Sequence, residues 1–217
     1  MAIHRITFDS KEEWLKHRTR IGGSDAACIV GMNPWKTNVQ LWMEKTGQAS
    51  APDISDKDVV KYGVAAEPLL RNLFALDFPE YEVEYFGDNI VLNDDFPFGA
   101  ASLDGELKEK ATGRKGILEI KTTNILQSMQ KEKWKNKLPD NYYVQCIHYL
   151  MITGYEFVVL VAQLKSDFNG EIYKQVKHYK IERAEVEEDI KYLESSEKKF
   201  WKNVQERKRP DLILPDI

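Results

Sequence analysis

The chain has 217 residues, of which 42% are apolar and 30% are charged, and its formal net charge is −4. This length and composition predict a single domain, residues 1–217, with a substantial core. No run of 18 apolar residues occurs, which excludes a membrane-spanning helix, and charged residues near the N-terminus exclude a secretory signal. We therefore expect a cytoplasmic protein with no membrane partner.

The two cysteines predict neither a disulfide nor a metal site. Cys28 and Cys146 each lie within an apolar helical pattern. Two isolated cysteines in such patterns are typical of small core residues, not of a disulfide framework, a zinc site or an iron–sulfur cluster.

Charge is unevenly distributed along the chain. Residues 53–106 carry thirteen acidic and three basic residues, whereas residues 107–137 carry nine basic and three acidic residues. Runs of like charge are most often solvated surfaces. The basic run nevertheless flanks the motif described below, which favours a functional role for it.

Capping signals predict two short helices near the N-terminus. Residues 10–13 read Ser-Lys-Glu-Glu, a capping box that predicts a helix to about Arg18. Residues 21–23 are expected to form a loop, with Ser24 as the N-cap of a second helix over residues 25–30.

Two further helices complete an N-terminal helical part of about residues 1–80. A capping box at Thr37 predicts a helix that ends at Gly47. An exposed connection over residues 48–57 and a helix over about residues 59–78 follow. The buried stripe of this last helix is expected to comprise Val64, Leu69, Leu70, Leu73 and Phe74.

Extended patterns predict a sheet-bearing core over about residues 81–181. The first two strands are expected to form a hairpin around Gly87, a helix is expected over residues 139–153, and a charged helix over about 183–208 ends the chain. The strands are expected at residues 83–85, 90–92, 98–107, 116–122, 155–165 and 171–181. This order predicts an α/β domain with a central mixed sheet flanked by helices on both faces.

Asp104 and Glu119 are the candidate catalytic carboxylates. Side chains alternate along a strand, so Glu119 and Lys121 share one face, and Leu118 and Ile120 the other. If Asp104 ends the neighbouring strand, the two carboxylates can hold one divalent cation, with the Ile120 carbonyl as a third ligand. Oxygen ligands select Mg²⁺ or Mn²⁺, and Lys121 is then placed to orient or help deprotonate the attacking water.

Two other segments support a catalytic site. Glu67 lies in an apolar stretch of a predicted helix, where an unpaired charge is costly. Gln145 shares one face of an otherwise apolar helix with other polar side chains: Tyr142, His148 and Tyr149. The alternatives are a helix-dipole partner or surface residue for Glu67, and a satisfied core amide for Gln145.

Seven motifs follow in order over about residues 14–165: Arg18 with Ile21–Ala27, Gly31-x-Asn33-Pro34, Leu41-Trp42-x-x-Lys45-Thr46-Gly47, Gly63-x-x-x-Glu67-Pro68, Ser102–Gly105, Leu118–Lys121 and Tyr143-x-Gln145. Together they closely resemble the YqaJ-type viral recombinase family, which is similar to phage lambda exonuclease and belongs to the PD-(D/E)xK nuclease superfamily. The sequence departs from the superfamily signature at Leu103, where proline precedes the catalytic aspartate.

The resemblance implies a metal-dependent exonuclease that degrades one strand of linear duplex DNA from the 5′ end and leaves a 3′ tail for a phage annealing protein. It implies a PD-(D/E)xK core with Asp104 and Glu119 as metal ligands and Lys121 as the water-orienting base. Glu67 would bind a second metal ion, and Gln145 would position the nucleophile or Lys121. A phage or prophage carried by a bacterial host would encode the protein.

The same resemblance implies a trimeric ring around the duplex. The basic run would line or approach its channel and contact phosphates, with Lys131, Lys133 and Lys135 among the contributing residues.

By the same resemblance, Arg18, Gly23 and Ser24 match the site that binds the 5′ phosphate in members of this family. A Gly-Gly-Ser loop that opens a helix presents free backbone N–H groups to an anion, and an arginine binds phosphate bidentately. The alternative for Arg18 is a basic residue in the last turn of its helix.

Three rival functions remain at this stage. A Cas4-like nuclease is disfavoured because a four-cysteine cluster is absent, and a site-specific endonuclease because a short chain leaves little room for a recognition domain. A non-catalytic DNA-end-binding protein is disfavoured because Asp104, Glu119 and Lys121 are all present.

Overall fold

The structure is a computed structural model that describes residues 2–126 and 128–215. Its strands are β1 Ile3–Thr7, β2 Tyr81–Glu84, β3 Asn89–Asn93, β4 Gly105–Glu109, β5 Lys115–Asn124, β6 Phe157–Phe168 and β7 Glu171–Glu182. Its helices are α1 Lys11–His17, α2 Gly23–Ile29, α3 Asn38–Lys45, α4 Asp58–Asp77, α5 Ser128–Glu132, α6 Asp140–Thr153 and α7 Glu187–Gln205, with a 3₁₀ turn at Arg183–Glu185.

Five strands form a mixed sheet in the order β2-β4-β5-β6-β7. The β5–β6 pair is parallel and the other pairs are antiparallel. The connection between the parallel strands carries α5 and α6, as a parallel pair requires a crossover. The strands β1 and β3 form a separate antiparallel ribbon.

Helices cover both faces of this sheet, as the sequence predicts. On one face, Leu70 and Phe74 of α4 pack with Leu118 and Ile120 of β5. On the other face, Ile117 of β5 packs in the core cluster that includes residues of α2, of α6 and of the buried side of α7. The alternation along β5 therefore places Leu118 and Ile120 under α4, and Ile117 and Glu119 on the side of α6.

The predicted helices are confirmed, but one cap is wrong. The hydroxyl of Ser10 accepts the N–H of Glu13, and both hydrogen bonds of the capping box at Thr37 are present. The second helix begins at Gly23, so Ser24 lies in its first turn and is not its N-cap. The reason is that the carboxylate of Asp25 accepts the N–H of Gly22 at 3.1 Å, which moves the cap to Gly22.

The predicted hairpin around Gly87 is wrong. β2 pairs with β4 in the large sheet, whereas β3 pairs with β1, a strand within the part that was expected to be helical. β3 is mostly buried, and its other edge bonds to Ala101. Because both edges of β3 are hydrogen-bonded to other segments, β3 does not pair with β2.

The strand expected over residues 98–107 begins only at Gly105. Residues 98–104, which we call the 98–104 segment, instead run beside the chain before α2. The N–H of Ile21 donates to the carbonyl of Phe98, and the N–H of Ala100 donates to the carbonyl of Ile21, both at 2.9 Å. This segment therefore connects the start of α2 with the start of β4.

The helix over residues 59–78 is confirmed as α4, but its buried stripe is partly wrong. Leu70 and Phe74 are buried, whereas Leu69 is 68% exposed, and Val64 and Leu73 are exposed as well. The face toward the sheet follows a spacing of four residues through Ala66, Leu70 and Phe74, which turns the other apolar residues outward.

Both cysteines are buried core residues, as predicted. Within the described residues, no helix combines the length and apolar character that crossing a bilayer requires.

Candidate active site

Asp104 is fixed against the central strand of the sheet. It directly precedes β4, whose first residue, Gly105, pairs with Leu118 of β5. The carboxylate of Asp104 accepts the backbone N–H of Ile120 at 2.8 Å. This hydrogen bond places the carboxylate at the position that the sequence predicts, beside the strand that carries Glu119.

Glu119 points into a buried space between β5 and α6. It is 1% exposed, and its Oε1 accepts the side-chain amide of Gln145 at 2.7 Å and lies 2.5 Å from Nζ of Lys121. Its Oε2 is buried without a hydrogen-bond partner. One oxygen is thus held by two donors, while the other is left for a ligand.

The carboxylates of the site resist being ionised together. Burial, together with the charge of Asp104, raises the pKa of Glu119 to about 8. Burial and the charge of Asp104 likewise raise the pKa of Glu67 to about 7. Burial also raises the pKa of Asp104. A bound cation would favour their ionised forms, so this electrostatic environment suits a metal site.

Lys121 is in its ammonium form. Burial alone would lower the pKa of Lys121, but the charges of Glu119 and Asp104 outweigh burial and raise it above its ordinary value. Its Nζ lies 5.5 Å from the centre of the Tyr142 ring on α6. The ammonium group is therefore positioned between the carboxylates and the start of α6.

Arg71 is a residue of the site that sequence analysis missed. It is buried, donates to the carboxylate of Glu67 at 2.5 Å and to the backbone carbonyl of Asp104 at 2.6 Å, and lies 3.6 Å from the centre of the Tyr85 ring. Its spacing of four residues from Glu67 on a helix is the signal that could have identified it. Arg71 connects Glu67 to the strand end at Asp104.

The donor atoms fit a divalent cation bound by oxygen. Among residues 2–126 and 128–215, no group of three or more His, Cys, Asp or Glu side chains is arranged to hold a metal ion. The oxygen ligands that β5 and its neighbouring strand end can offer are the carboxylates of Asp104 and Glu119 and the carbonyl of Ile120. The unpartnered Oε2 of Glu119 favours this arrangement, because a buried carboxylate oxygen without a ligand is costly.

A cavity of about 610 Å³ contains the residues expected to bind a 5′ phosphate. Arg18, Gly23 and Ser24 all line it, and so does Ser102, which belongs to one of the seven motifs but was given no role from the sequence. Arg18 lies 4.5 Å above the ring of Trp14, whose indole N–H donates to the hydroxyl of Ser102 at 3.3 Å. Because α2 has only seven residues, the polar side chains provide most of the anion-binding capacity of this cavity.

A second cavity, of about 420 Å³, contains Glu67, Asp104 and Arg71. Trp14 lines this cavity, and Ser102 lines both cavities. The larger cavity and the carboxylates therefore meet at the 98–104 segment.

Three lysines of the basic run, Lys131, Lys133 and Lys135, are exposed around one buried residue, Trp134. The ring of Trp134 packs 5.4 Å from that of Tyr142, which is the ring near Lys121. This packing connects the segment that carries the three lysines to the ring near Lys121.

The chain is similar to known proteins in sequence and in fold. The Bacillus subtilis (strain 168) protein YqaJ, itself uncharacterised, is 30% identical over 194 residues, which cover 88% of this chain and 56% of that protein. The chain thus spans about half the length of this relative.

The fold resembles that of an alkaline exonuclease, LHK-Exo, from Laribacter hongkongensis. The TM-score is 0.61 at 16% identity, and the match covers 91% of this chain and 94% of that chain. The complex of LHK-Exo with dAMP gives a TM-score of 0.63 at 18% identity, covering 92% and 97% of the two chains. The likeness shows that the two proteins share a fold.

The family model for the YqaJ-like viral recombinase domain matches residues 13–156, which include every carboxylate of the site. The match confirms the resemblance that the seven motifs indicate. The chain belongs to the YqaJ-like viral recombinase domain family.

Proposed function

We propose that this protein is a metal-dependent exonuclease that degrades one strand of linear double-stranded DNA in the 5′-to-3′ direction. Its product would be a 3′ single-stranded tail for strand annealing in phage-type recombination. The observation that carries the proposal is Glu119, a buried carboxylate with one oxygen held by Lys121 and Gln145 and the other unpartnered beside Asp104. Family membership and the exonuclease-like fold support it.

Asp104, Glu119 and the carbonyl of Ile120 would hold Mg²⁺ or Mn²⁺, and Glu67 would contribute to a second metal ion. When bound, such a cation polarises the phosphodiester and lowers the pKa of water. Arg71 keeps Glu67 and the backbone of Asp104 in fixed positions.

Lys121 and Gln145 have different roles in this proposal. The ammonium group of Lys121 orients the attacking water and offsets negative charge that develops on the phosphate oxygens. The amide of Gln145 fixes Oε1 of Glu119, and thereby also the distance between Glu119 and Lys121. Fixed polar groups of this kind need not reorganise during the reaction.

Recognition of the strand end is assigned to the larger cavity. Arg18 and Ser24, with the backbone at Gly23, would bind the 5′ phosphate. Since this cavity meets the carboxylates at Ser102, the terminal nucleotide would lie between the bound phosphate and the bond that is cleaved. A site that holds the 5′ end in this way sets the direction of degradation.

The wider assembly is also a proposal. Lys131, Lys133 and Lys135 would contact DNA phosphates in a homotrimeric ring, and a single-strand annealing protein would receive the product. The setting would be the cytoplasm of a bacterial host. Light scattering tests the ring, because a particle of 25.2 kDa at all working concentrations contradicts it.

Labelled DNA tests the proposed reaction. We expect purified protein with Mg²⁺ to release the 5′ label from linear 5′-phosphorylated duplex before a label near the 3′ end of the same strand, and to leave circular duplex intact. The matched control is Glu119→Gln, which keeps the shape of the side chain but loses the charge. Cleavage of circles would support an endonuclease instead, and end binding without cleavage would support a non-catalytic protein.

A further inference from the structure

A fully buried pair of ionisable side chains joins the C-terminal helix to the rest of the protein. His148 on α6 and Glu197 on α7 are both 0% exposed. Nδ1 of His148 lies 2.8 Å from Oε1 of Glu197, and Nε2 lies 3.0 Å from the carbonyl oxygen of Ala100. The proposed reaction uses neither side chain, although burying two such groups is costly.

The contacts determine where the protons of this pair lie. A backbone carbonyl only accepts hydrogen bonds, so Nε2 of His148 carries a proton. A second proton lies between Nδ1 and Oε1 of Glu197, because two bare acceptors at 2.8 Å would repel each other. The result is a chain of two hydrogen bonds from α7 to Ala100.

One further charged group acts on this pair from a neighbouring helix. The carboxylate of Asp25 on α2 favours the protonated forms of both His148 and Glu197. Asp25 is itself paired with Lys45 of α3 at 2.8 Å. The pair is therefore held in its protonated, hydrogen-bonded form by its surroundings.

Ala100 is the point where this chain of hydrogen bonds reaches the site. Its N–H donates to the carbonyl of Ile21, three residues before Ser24. In the other direction the 98–104 segment leads through Ser102 to Asp104. The carbonyl that His148 binds thus belongs to the backbone that connects the larger cavity with the carboxylates.

We propose that Glu197 and His148 are positioning residues that hold the 98–104 segment in its reactive geometry, so that the C-terminal helix controls the active site. This inference rests on the proposed function. Apolar residues of α7, such as Leu193 and Phe200, already anchor the helix in the core. The ionisable pair adds what apolar packing lacks, a directional bond to one carbonyl group.

Three variants of α7 test this role in the full-length chain. Glu197→Ala breaks the chain of hydrogen bonds and should lower kcat about 10- to 100-fold with little change in KM, because a small displacement of reacting groups costs this much. Glu197→Gln should restore kcat to near the wild-type value, since its amide can donate to Nδ1 of a neutral His148. Ile190→Ala is the matched control, because it removes a buried apolar anchor of α7 two helical turns away from Glu197, and its kcat should stay at the wild-type value.

Each outcome of this experiment decides the proposal. A folded Glu197→Ala protein with wild-type kcat overturns it, and so does a folded Glu197→Gln protein that is as slow as Glu197→Ala. If Glu197→Ala does not fold, the ¹⁵N NMR spectrum of the wild-type histidine rings decides, since Nε2 of His148 must carry a slowly exchanging proton. Wild-type protein that degrades no DNA with any divalent cation refutes the proposed function as well, which distinguishes the two failures.

Discussion

The ammonium group of Lys121 lies 2.5 Å from Oε1 of Glu119, two residues earlier on the same strand. The strand alternation brings the side chains of Lys121 and Glu119 to one face. The amide of Gln145 donates to the same Oε1 of Glu119 and fixes its position. Lys121 is therefore held at a defined place beside the carboxylates before any substrate binds.

Lys121→Ala should lower the turnover of linear duplex by about two to four orders of magnitude, the usual contribution of a group that assists proton transfer. Binding of DNA should persist, since Asp104 and Glu119 remain. The measurement is kcat under saturating Mg²⁺, with binding followed separately in Ca²⁺. Lys191→Ala, which removes an exposed lysine that pairs with Glu188 on α7, is the control. Wild-type turnover in Lys121→Ala would refute the role assigned to this residue.

The arrangement around β5 could be predicted because it depends on local rules. Alternation along one strand places Glu119 with Lys121, and a neighbouring strand end brings Asp104 to the same strand. The N-cap at Ser10 and the capping box at Thr37 are likewise short-range signals, and the structure confirms them. The catalytic roles of these residues stay predictions.

Other features depend on contacts between distant parts of the chain. Glu197 meets His148 across 49 residues. The apolar stripe of α7 places Glu197 on the buried face, but no local pattern identifies His148 as its partner. β3 pairs with β1 on one edge and with Ala101 on the other, so neither edge is left for β2. The outward-facing residues of α4 were mispredicted for a related reason, since an apolar helix has several possible buried faces.

Arg71→Met should raise the Mg²⁺ concentration needed for half-maximal activity by about 10- to 100-fold, as for other groups that orient metal ligands. The variant leaves Glu67 without its ion pair and the carbonyl of Asp104 without its donor. A titration of activity with Mg²⁺ measures the effect. Lys61→Met, on the same helix but in an exposed ion pair, should leave the Mg²⁺ requirement unchanged.

The buried pair predicts a pH-dependent contribution to stability. The pKa of Glu197 is raised by burial, with a partial offset from His148. For His148, burial alone would lower the pKa, but the charge of Glu197 raises it above its ordinary value of 6.5. The folded pair therefore holds its protons more tightly than the unfolded chain does, and stability is lost as pH rises above these ordinary values.

Glu197→Gln removes this linkage while keeping a hydrogen-bond donor for His148. The free energy of unfolding of wild type minus that of Glu197→Gln should fall as pH rises from 6 to 9, with a slope of at most about 1.4 kcal/mol per pH unit for each proton involved. Urea denaturation at several pH values measures it. A difference that is constant with pH, or that grows with pH, contradicts the assignment of protons to this pair.

Close packing of α2 against α6 predicts a different effect at two adjacent glycines. A Cβ at Gly23 would lie 2.6 Å from the ring of Tyr149 and 2.8 Å from Cγ of Gln145, whereas a Cβ at Gly22 has no neighbour closer than 3.7 Å. Gly23→Ala should therefore destabilise the fold by about 1–3 kcal/mol and displace Gln145, with a loss of activity. Gly22→Ala is the control for stability and should be close to wild type in urea denaturation. Equal behaviour of the two variants would mean that α6 can move to accommodate the added carbon.

The last prediction concerns the end of the DNA strand. A terminal phosphate carries more charge than an internal diester, so Arg18 and Ser24 should bind a phosphorylated 5′ end more tightly than a 5′ hydroxyl. A charge-assisted hydrogen bond contributes about 1.5–3 kcal/mol, and 1.4 kcal/mol corresponds to about tenfold. Arg18→Ala should thus slow the degradation of phosphorylated duplex by roughly one to two orders of magnitude.

Hydroxyl-ended duplex lacks the group that Arg18 is proposed to bind, so the same substitution should affect its degradation much less. The four rates form a double-mutant cycle between one side chain and one phosphate group. The cycle separates end recognition from general attraction to DNA, because attraction to internal phosphates is the same for both substrates. Arg20→Ala, which changes a second arginine lining the same cavity, shows whether the effect is specific to Arg18. Equal losses on both substrates would mean that Arg18 contributes to folding or to general DNA binding, and not to recognition of the 5′ end.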